Sequence, residues 1–157
     1  MRGPIARVLC TLVVLGAAGL SRTAYATPSG DALPTPPAPT AARLAAGRAL
    51  FGEHCAHCHG ERGDGGGPTG QFLTPRPRNY AADPFKAGDS VAQIFLTLRS
   101  GLPATAMVSF ATLPEDARWS LAWYVVHWRP SAEGRRAAAV VEGLRAVATS
   151  TATSTVR

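Results

Sequence analysis

A chain of 157 residues, 46% of them hydrophobic, is long enough for one small domain and too short for two of ordinary size. Its 16 Lys and Arg against 10 Asp and Glu give a formal charge of +6, but Arg2, Arg7 and Arg22 fall in the first 26 residues, and without them the balance is 13 to 10. The arginines are scattered and no basic stretch is interleaved with aromatics, so nucleic acid is excluded as a partner and charge serves solubility.

Residues 1–26 have the three parts of a secretory leader. Arg2 and Arg7 form a positive start, Val8 to Leu20 an apolar core, and Ala24-Tyr25-Ala26 an A-x-A cleavage site. The mature chain is expected to begin at Thr27 and to be periplasmic. The alternative is an uncleaved anchor, but thirteen apolar residues broken by Gly16 and Gly19 fall short of the roughly 20 that span a bilayer, so no stable membrane insertion is expected. Cys10 leaves with the leader. Cys55 and Cys58 then remain as the only cysteines, and no structural disulfide is available.

Residues 27–40 carry five prolines with few large apolar side chains and read as an extended, polyproline-like tether. From Ala41 the pattern turns helical. Thr40 can cap the start, Leu44, Leu50 and Phe51 fall near one face, and Gly47 lies one turn before Phe51, where a missing side chain would let another helix approach.

That helix delivers the chain to Cys55-Ala56-His57-Cys58-His59, a C-x-x-C-H run, which reads as a covalent c-type haem site. Two thiols at this spacing can each add to a haem vinyl group, and the adjoining imidazole of His59 then lies under the iron. A thioredoxin-like redox pair would need a strand before it, and zinc would need a second ligand pair, whereas apart from His54 directly before the motif the only other histidine is His127. A covalent haem also supplies the staple that a small domain without disulfides needs.

Gly60 to Gly70 holds six glycines, Asp64 and Pro68, and can only be loop; Pro75-Arg76-Pro77-Arg78-Asn79-Tyr80 extends it. A loop this long is expected to wrap one edge of the haem. A carbonyl of Gly67 or Pro68 would orient His59 through Nδ1, and Arg76 or, better placed, Arg78 would pair with a propionate. A second helix follows over Val91 to Ser100, with a capping box of Ser90 and Gln93 and a stop at Gly101 and Pro103. Leu102 to Phe110 is a loop carrying Met107. A third helix is expected from a Thr112–Glu115 capping box to Pro130, with Leu121, Tyr124, Val125 and Trp128 along one face. His127 reads as a core or polar-edge histidine. Ala132 to Val147 is a weak, alanine-rich helix, and a frayed Ser/Thr/Ala tail follows.

Between Ala41 and Pro130 these residues resemble class I cytochrome c, in particular the small bacterial monohaem domains. The resemblance rests on Gly47-Arg48-Ala49-Leu50-Phe51 leading into the haem motif, on the glycine loop ending at Pro68, on Pro77-Arg78-Asn79-Tyr80, on Thr105-Ala106-Met107 before Ser109-Phe110, and on Trp119 with Tyr124. Where the family often has Gly-Thr-Ala-Met-Pro, Ala104 and Val108 stand for the glycine and the proline. The resemblance implies an all-α fold of three to four helices around one haem, with long irregular loops. It implies Pro68, Arg78 and Tyr80 as haem surroundings, and an iron held by His59 and Met107. Met107 is also the only thioether left once Met1 departs with the leader, and it follows a glycine-proline break rather than sitting on a periodic helix face. The alternatives are a gap-filling core methionine, with His127 as reserve ligand.

The function implied is one-electron transfer rather than catalysis, because an iron with imidazole on one side and thioether on the other has no open position. Redox partners would be a respiratory dehydrogenase, reductase or oxidase, met by a mobile monomer or by a subunit fixed in such a complex. A gas-binding or catalytic haem is the opposing reading.

Overall fold

The computed structural model describes residues 32–155, with side chains to 149; the leader and its cleavage point lie outside the described residues. Among the described residues five helices follow one another: α1 (Ala41–His54), α2 (Ala56–His59), α3 (Val91–Ser100), α4 (Glu115–Val126) and α5 (Ala132–Thr155), with one 3-10 turn at Gly70–Phe72. No strand occurs among the described residues. None of the described helices is long and apolar enough to cross a membrane.

Local chemistry sets the helix starts. The Thr40 hydroxyl accepts from the Arg43 amide at 3.2 Å. Ser90 and Gln93 exchange the reciprocal bonds of a capping box, and the Val91 amide, an orphan donor at the start of α3, is taken by Glu133 of α5 at 3.0 Å. The box expected at Thr112 does not form. Proline disfavours helical backbone in the residue before it, so Leu113 stays out of the helix and α4 begins at Glu115 behind Pro114. It also ends earlier than Pro130, at Val126, with Arg129 N bonded back to the Val126 carbonyl at 2.8 Å.

α4 is the axis of the domain. Instead of one apolar face it buries every residue from Arg118 to Val126, because α1, α3 and α5 all pack around it. The approach of α1 is closest at Gly47, where a Cβ would stand 2.2 Å from the Ser120 carbonyl oxygen and 2.8 Å from Tyr124 Cβ. Below that crossing Phe51 meets Tyr124 and Trp128 at ring separations of 5.4 and 5.3 Å, and on the other side Phe95 of α3 stacks on Trp119 at 3.8 Å.

Both ends of the described stretch are more engaged than the sequence suggests. The Trp123 indole donates to the Pro37 carbonyl at 2.7 Å and Arg43 Nε to the Ala38 carbonyl at 3.1 Å, so the last turn of the proline-rich stretch is strapped to the domain rather than free. α5 runs beyond the expected Val147 and buries Ala137 and Val141, the latter 4% exposed. Its small side chains make a weak periodic signal, yet they suit a shallow groove beside α1 and α4.

Candidate functional site

A cavity of about 390 Å³ opens beside α4. The end of α1 and the single turn of α2 present Cys55, Cys58 and His59 to it; Ile94 and Leu98 of α3 with Val125 of α4 give it an apolar floor. Burial, with the neighbouring Cys58 sulfur adding to it, pushes the Cys55 thiol up to about 12, so it stays protonated at neutral pH. Burial also lowers His59, against the opposing pull of a backbone carbonyl. The Nδ1 of His59 stands 3.4 Å from the carbonyl oxygen of Arg78, and its ring stacks on Tyr80 at 4.7 Å and 17°. Nε2 is thereby the nitrogen left for a metal.

The Met107 loop forms another part of the lining. It folds back onto the C-terminus of α3: Leu102 N donates to the Met107 carbonyl at 2.9 Å, Phe110 N to that of Leu98 at 2.8 Å, and Ser109 Oγ to that of Arg99 at 2.6 Å. Inside the loop Thr105 Oγ1 donates to the Leu102 carbonyl and accepts from Met107 N. Gly101, with φ 71°, makes the turn possible; a Cβ there would stand 2.7 Å from the Met107 carbonyl oxygen. Ala104 adopts φ 59°, a left-handed backbone that suits glycine better.

The structure thus brings Cys55, Cys58, His59, Arg78, Tyr80 and Met107 to one cavity, with Arg76 beside them. Pro68 is elsewhere: it is exposed and outside the lining, and the carbonyl facing His59 belongs to Arg78, not to Gly67 or Pro68. The glycine loop supports the motif from behind, where a Cβ on Gly67 would stand 2.4 Å from the His57 carbonyl oxygen. Between the glycine loop and α3 the cavity is bordered by Leu73, Pro75 to Arg78, Tyr80 and Asp83 to Lys86. His127 lies outside the lining, its Nδ1 held by the Tyr124 carbonyl and its ring 3.9 Å from Trp128.

Sequence reasoning missed Arg129. Its guanidinium reaches the carbonyls of Tyr80 at 2.6 Å and Asp83 at 3.1 Å, pairs with Asp89 at 3.1 Å, and stands 4.9 Å from the Phe85 ring. It therefore holds the stretch that carries Tyr80, Phe85 and Lys86 to the cavity. An arginine before Pro130 gives no local hint of partners 40 to 49 residues away.

The donor set suits a haem: two thiols and an imidazole on one short stretch, a thioether on another, apolar side chains between them, and guanidinium groups at the border for propionates. Among the described residues no three His, Cys, Asp or Glu side chains converge as they would for a bare metal ion, so zinc finds no ligand set there.

Fold and site together define a small c-type cytochrome of the class I kind. A family model described as cytochrome c oxidase, cbb3-type, subunit III, matches residues 42–125, more than half of the chain, and the chain belongs to that family. Its cofactor is covalently bound haem c with iron. Among solved structures it is similar to a chain of the reducing HAO-like protein complex of Kuenenia stuttgartiensis, with 32% sequence identity and a TM-score of 0.57 over 62% of this chain. It spans about half of that chain's length, 48%. No curated protein matches. These likenesses support electron transfer by a c-type haem.

Proposed function

We propose that the protein is an exported, periplasmic one-electron carrier whose haem c is held by Cys55 and Cys58 and whose iron is ligated by His59 and Met107. The observation that carries this reading is the one cavity bordered by all four side chains. Haem c supplies the Fe(III)/Fe(II) couple, and the chain's own residues do the rest. The Arg78 carbonyl and the Tyr80 ring keep the His59 imidazole in one orientation, which limits the rearrangement that accompanies each electron. Ile94, Leu98 and Val125 keep water out, and low polarity together with thioether ligation favours the ferrous state. Arg78 is the donor to a propionate. With His59 and Met107 both holding the iron, the protein would leave no open position for a substrate, and the work would be electron transfer to and from a respiratory dehydrogenase, reductase or oxidase.

A second reading, a subunit fixed in a redox complex, is favoured by the likeness to a chain of such a complex and by the family's name. Co-purification of the tagged protein with a membrane-bound or multi-haem enzyme at stoichiometric yield supports it; recovery as a free monomer supports the mobile carrier.

The ligand assignment is tested with Met107→Ala. The variant should keep haem through the cysteines, as read by haem staining after denaturing electrophoresis, while losing the weak long-wavelength sulfur-to-iron band of the ferric protein and binding carbon monoxide when ferrous. Cys55→Ala with Cys58→Ala should abolish the stain. A wild-type protein that lacks the band, or takes up carbon monoxide as readily as the variant, puts the gas-binding reading ahead.

A further inference from the structure

Arg118 lies one turn inside α4 and is 9% exposed. One of its amino groups donates to the Ala111 carbonyl at 3.0 Å and to the Leu113 carbonyl, and the guanidinium carbon stands 5.3 Å from the centre of the Phe95 ring. Its Nε is buried with no hydrogen-bond partner. Neither carboxylate of the same helix turn neutralises it: Glu115 accepts from the Trp119 indole at 3.3 Å, and Asp116 pairs with Arg43 at 2.6 Å. A buried cation without a carboxylate, and with one donor unsatisfied, is a poor way to stabilise a core. An apolar side chain of similar length would fill the space against Phe95 without that penalty.

What the arginine does hold is the turn that follows the methionine loop. Ala111 and Leu113 come directly after Phe110, whose ring borders the cavity three residues beyond Met107. The loop is closed on itself by Leu102 and Met107 and fastened to α3 by Ser109 and Phe110. The rear is fastened to α4 by Arg118, since Pro114 offers no amide and α4 starts without a side-chain cap. Removing the guanidinium takes from the Ala111 and Leu113 carbonyls their bonds to α4 and leaves the turn held by bonds of the loop's own, Leu113 N to the Phe110 carbonyl at 3.1 Å and Ala111 N to Ser109 Oγ at 3.1 Å.

We propose that Arg118 is a positioning residue for Met107: by clamping the Ala111 and Leu113 carbonyls to α4 it keeps the methionine loop closed on the haem cavity. The inference rests on Met107 as the sixth ligand. Opening of the loop is the step that frees the iron, and Arg118 acts on that equilibrium without touching the metal.

The test compares full-length haem-loaded wild type with Arg118→Met, Arg118→Lys, Met107→Ala and Val141→Ala. Two readouts are used, the ferric sulfur-to-iron band and carbon monoxide uptake by the ferrous protein, with the unfolding midpoint measured alongside. Arg118→Met should keep covalent haem but weaken the band and raise carbon monoxide uptake by about tenfold or more, the effect on an opening equilibrium of losing the charged donor's bonds to the two carbonyls. Arg118→Lys, which restores a charged donor without the fork, should recover part of the difference. Val141→Ala in α5 should lower the unfolding midpoint and leave both readouts unmoved. The proposal is overturned if Arg118→Met matches wild type in band and uptake, or if Val141→Ala shifts them as much. Should Arg118→Met fail to accumulate, Arg118→Gln, uncharged and too short for both carbonyls, is read in the same way. A wild type that already lacks the band or binds carbon monoxide as freely as Met107→Ala overturns the ligand assignment instead.

Discussion

Two small residues are placed in opposite ways. Gly47 sits where space forbids a side chain, since any Cβ there would overlap the Ser120 backbone, which cannot swing aside as a side chain could. Gly47→Ala gains about 1 kcal/mol in helix propensity but forces α1 and α4 apart. The net expectation is a loss of about 2 kcal/mol, seen as a fall of roughly 5–10 °C in the unfolding midpoint. Ala104 is the converse, an alanine at φ 59° where glycine would be unstrained. A left-handed L-residue costs roughly 1–2 kcal/mol, and the greater freedom of glycine in the unfolded chain returns part of that. Ala104→Gly should therefore stabilise the protein by about 0.5–1 kcal/mol in chemical denaturation, with covalent haem retained. An unchanged or lower midpoint would show that the strain is relieved elsewhere in the loop.

At the scale of elements, α5 shows how packing overrides a weak local signal. Its alanines and valines carry little amphipathic contrast, and the sequence reading accordingly expected only a weak helix over Ala132 to Val147 with a frayed tail behind it. In the fold Ala137 and Val141 are buried against the rest of the core, and Glu133 caps α3. Val141→Ala removes two methyl groups from a site that is 4% exposed and should cost about 2 kcal/mol, measured as a shift in denaturation midpoint at constant slope. A tail merely lying on the surface would lose almost nothing. α4 illustrates the same lesson from the apolar side. Leu121, Tyr124, Val125 and Trp128 suggested one buried face, but Trp119, Trp123 and Val126 are buried too, because three helices rather than one surround it.

For the whole molecule, export and covalent haem attachment belong together, since thioether formation in bacteria takes place outside the cytoplasmic membrane. The expected leader ends at Ala26, so mass spectrometry of the soluble periplasmic fraction should find a haem-bearing chain that begins at Thr27. An intact Met1-containing form recovered in membranes would favour the tethered alternative. The strap formed by Pro37 and Ala38 on Trp123 and Arg43 implies that either form would leave the haem domain folded alike.

The sequence by itself determined what depends on near neighbours. The C-x-x-C-H run needs five consecutive residues, the Thr40 and Ser90 caps need three or four, and the Gly101-Pro103 break frees Met107 from helix periodicity; each was legible before any fold was known. The sequence offered Gly47 as a point of helix-helix approach or as a merely tolerated helical glycine, and the overlap a Cβ would make with the Ser120 backbone decided for the first. Only the tertiary structure decided which carbonyl faces His59, that Pro68 lies away from the cavity, that α5 belongs to the core, and that Arg118 and Arg129 hold the two segments that border the site. The physical reason is that spacing along the chain records the hydrogen bonds and burial of a single turn. A carbonyl at Arg78 and an imidazole at His59, or a guanidinium at Arg129 and a loop at Tyr80, meet only when segments far apart in the chain fold together, and side-chain pattern carries no register for that meeting.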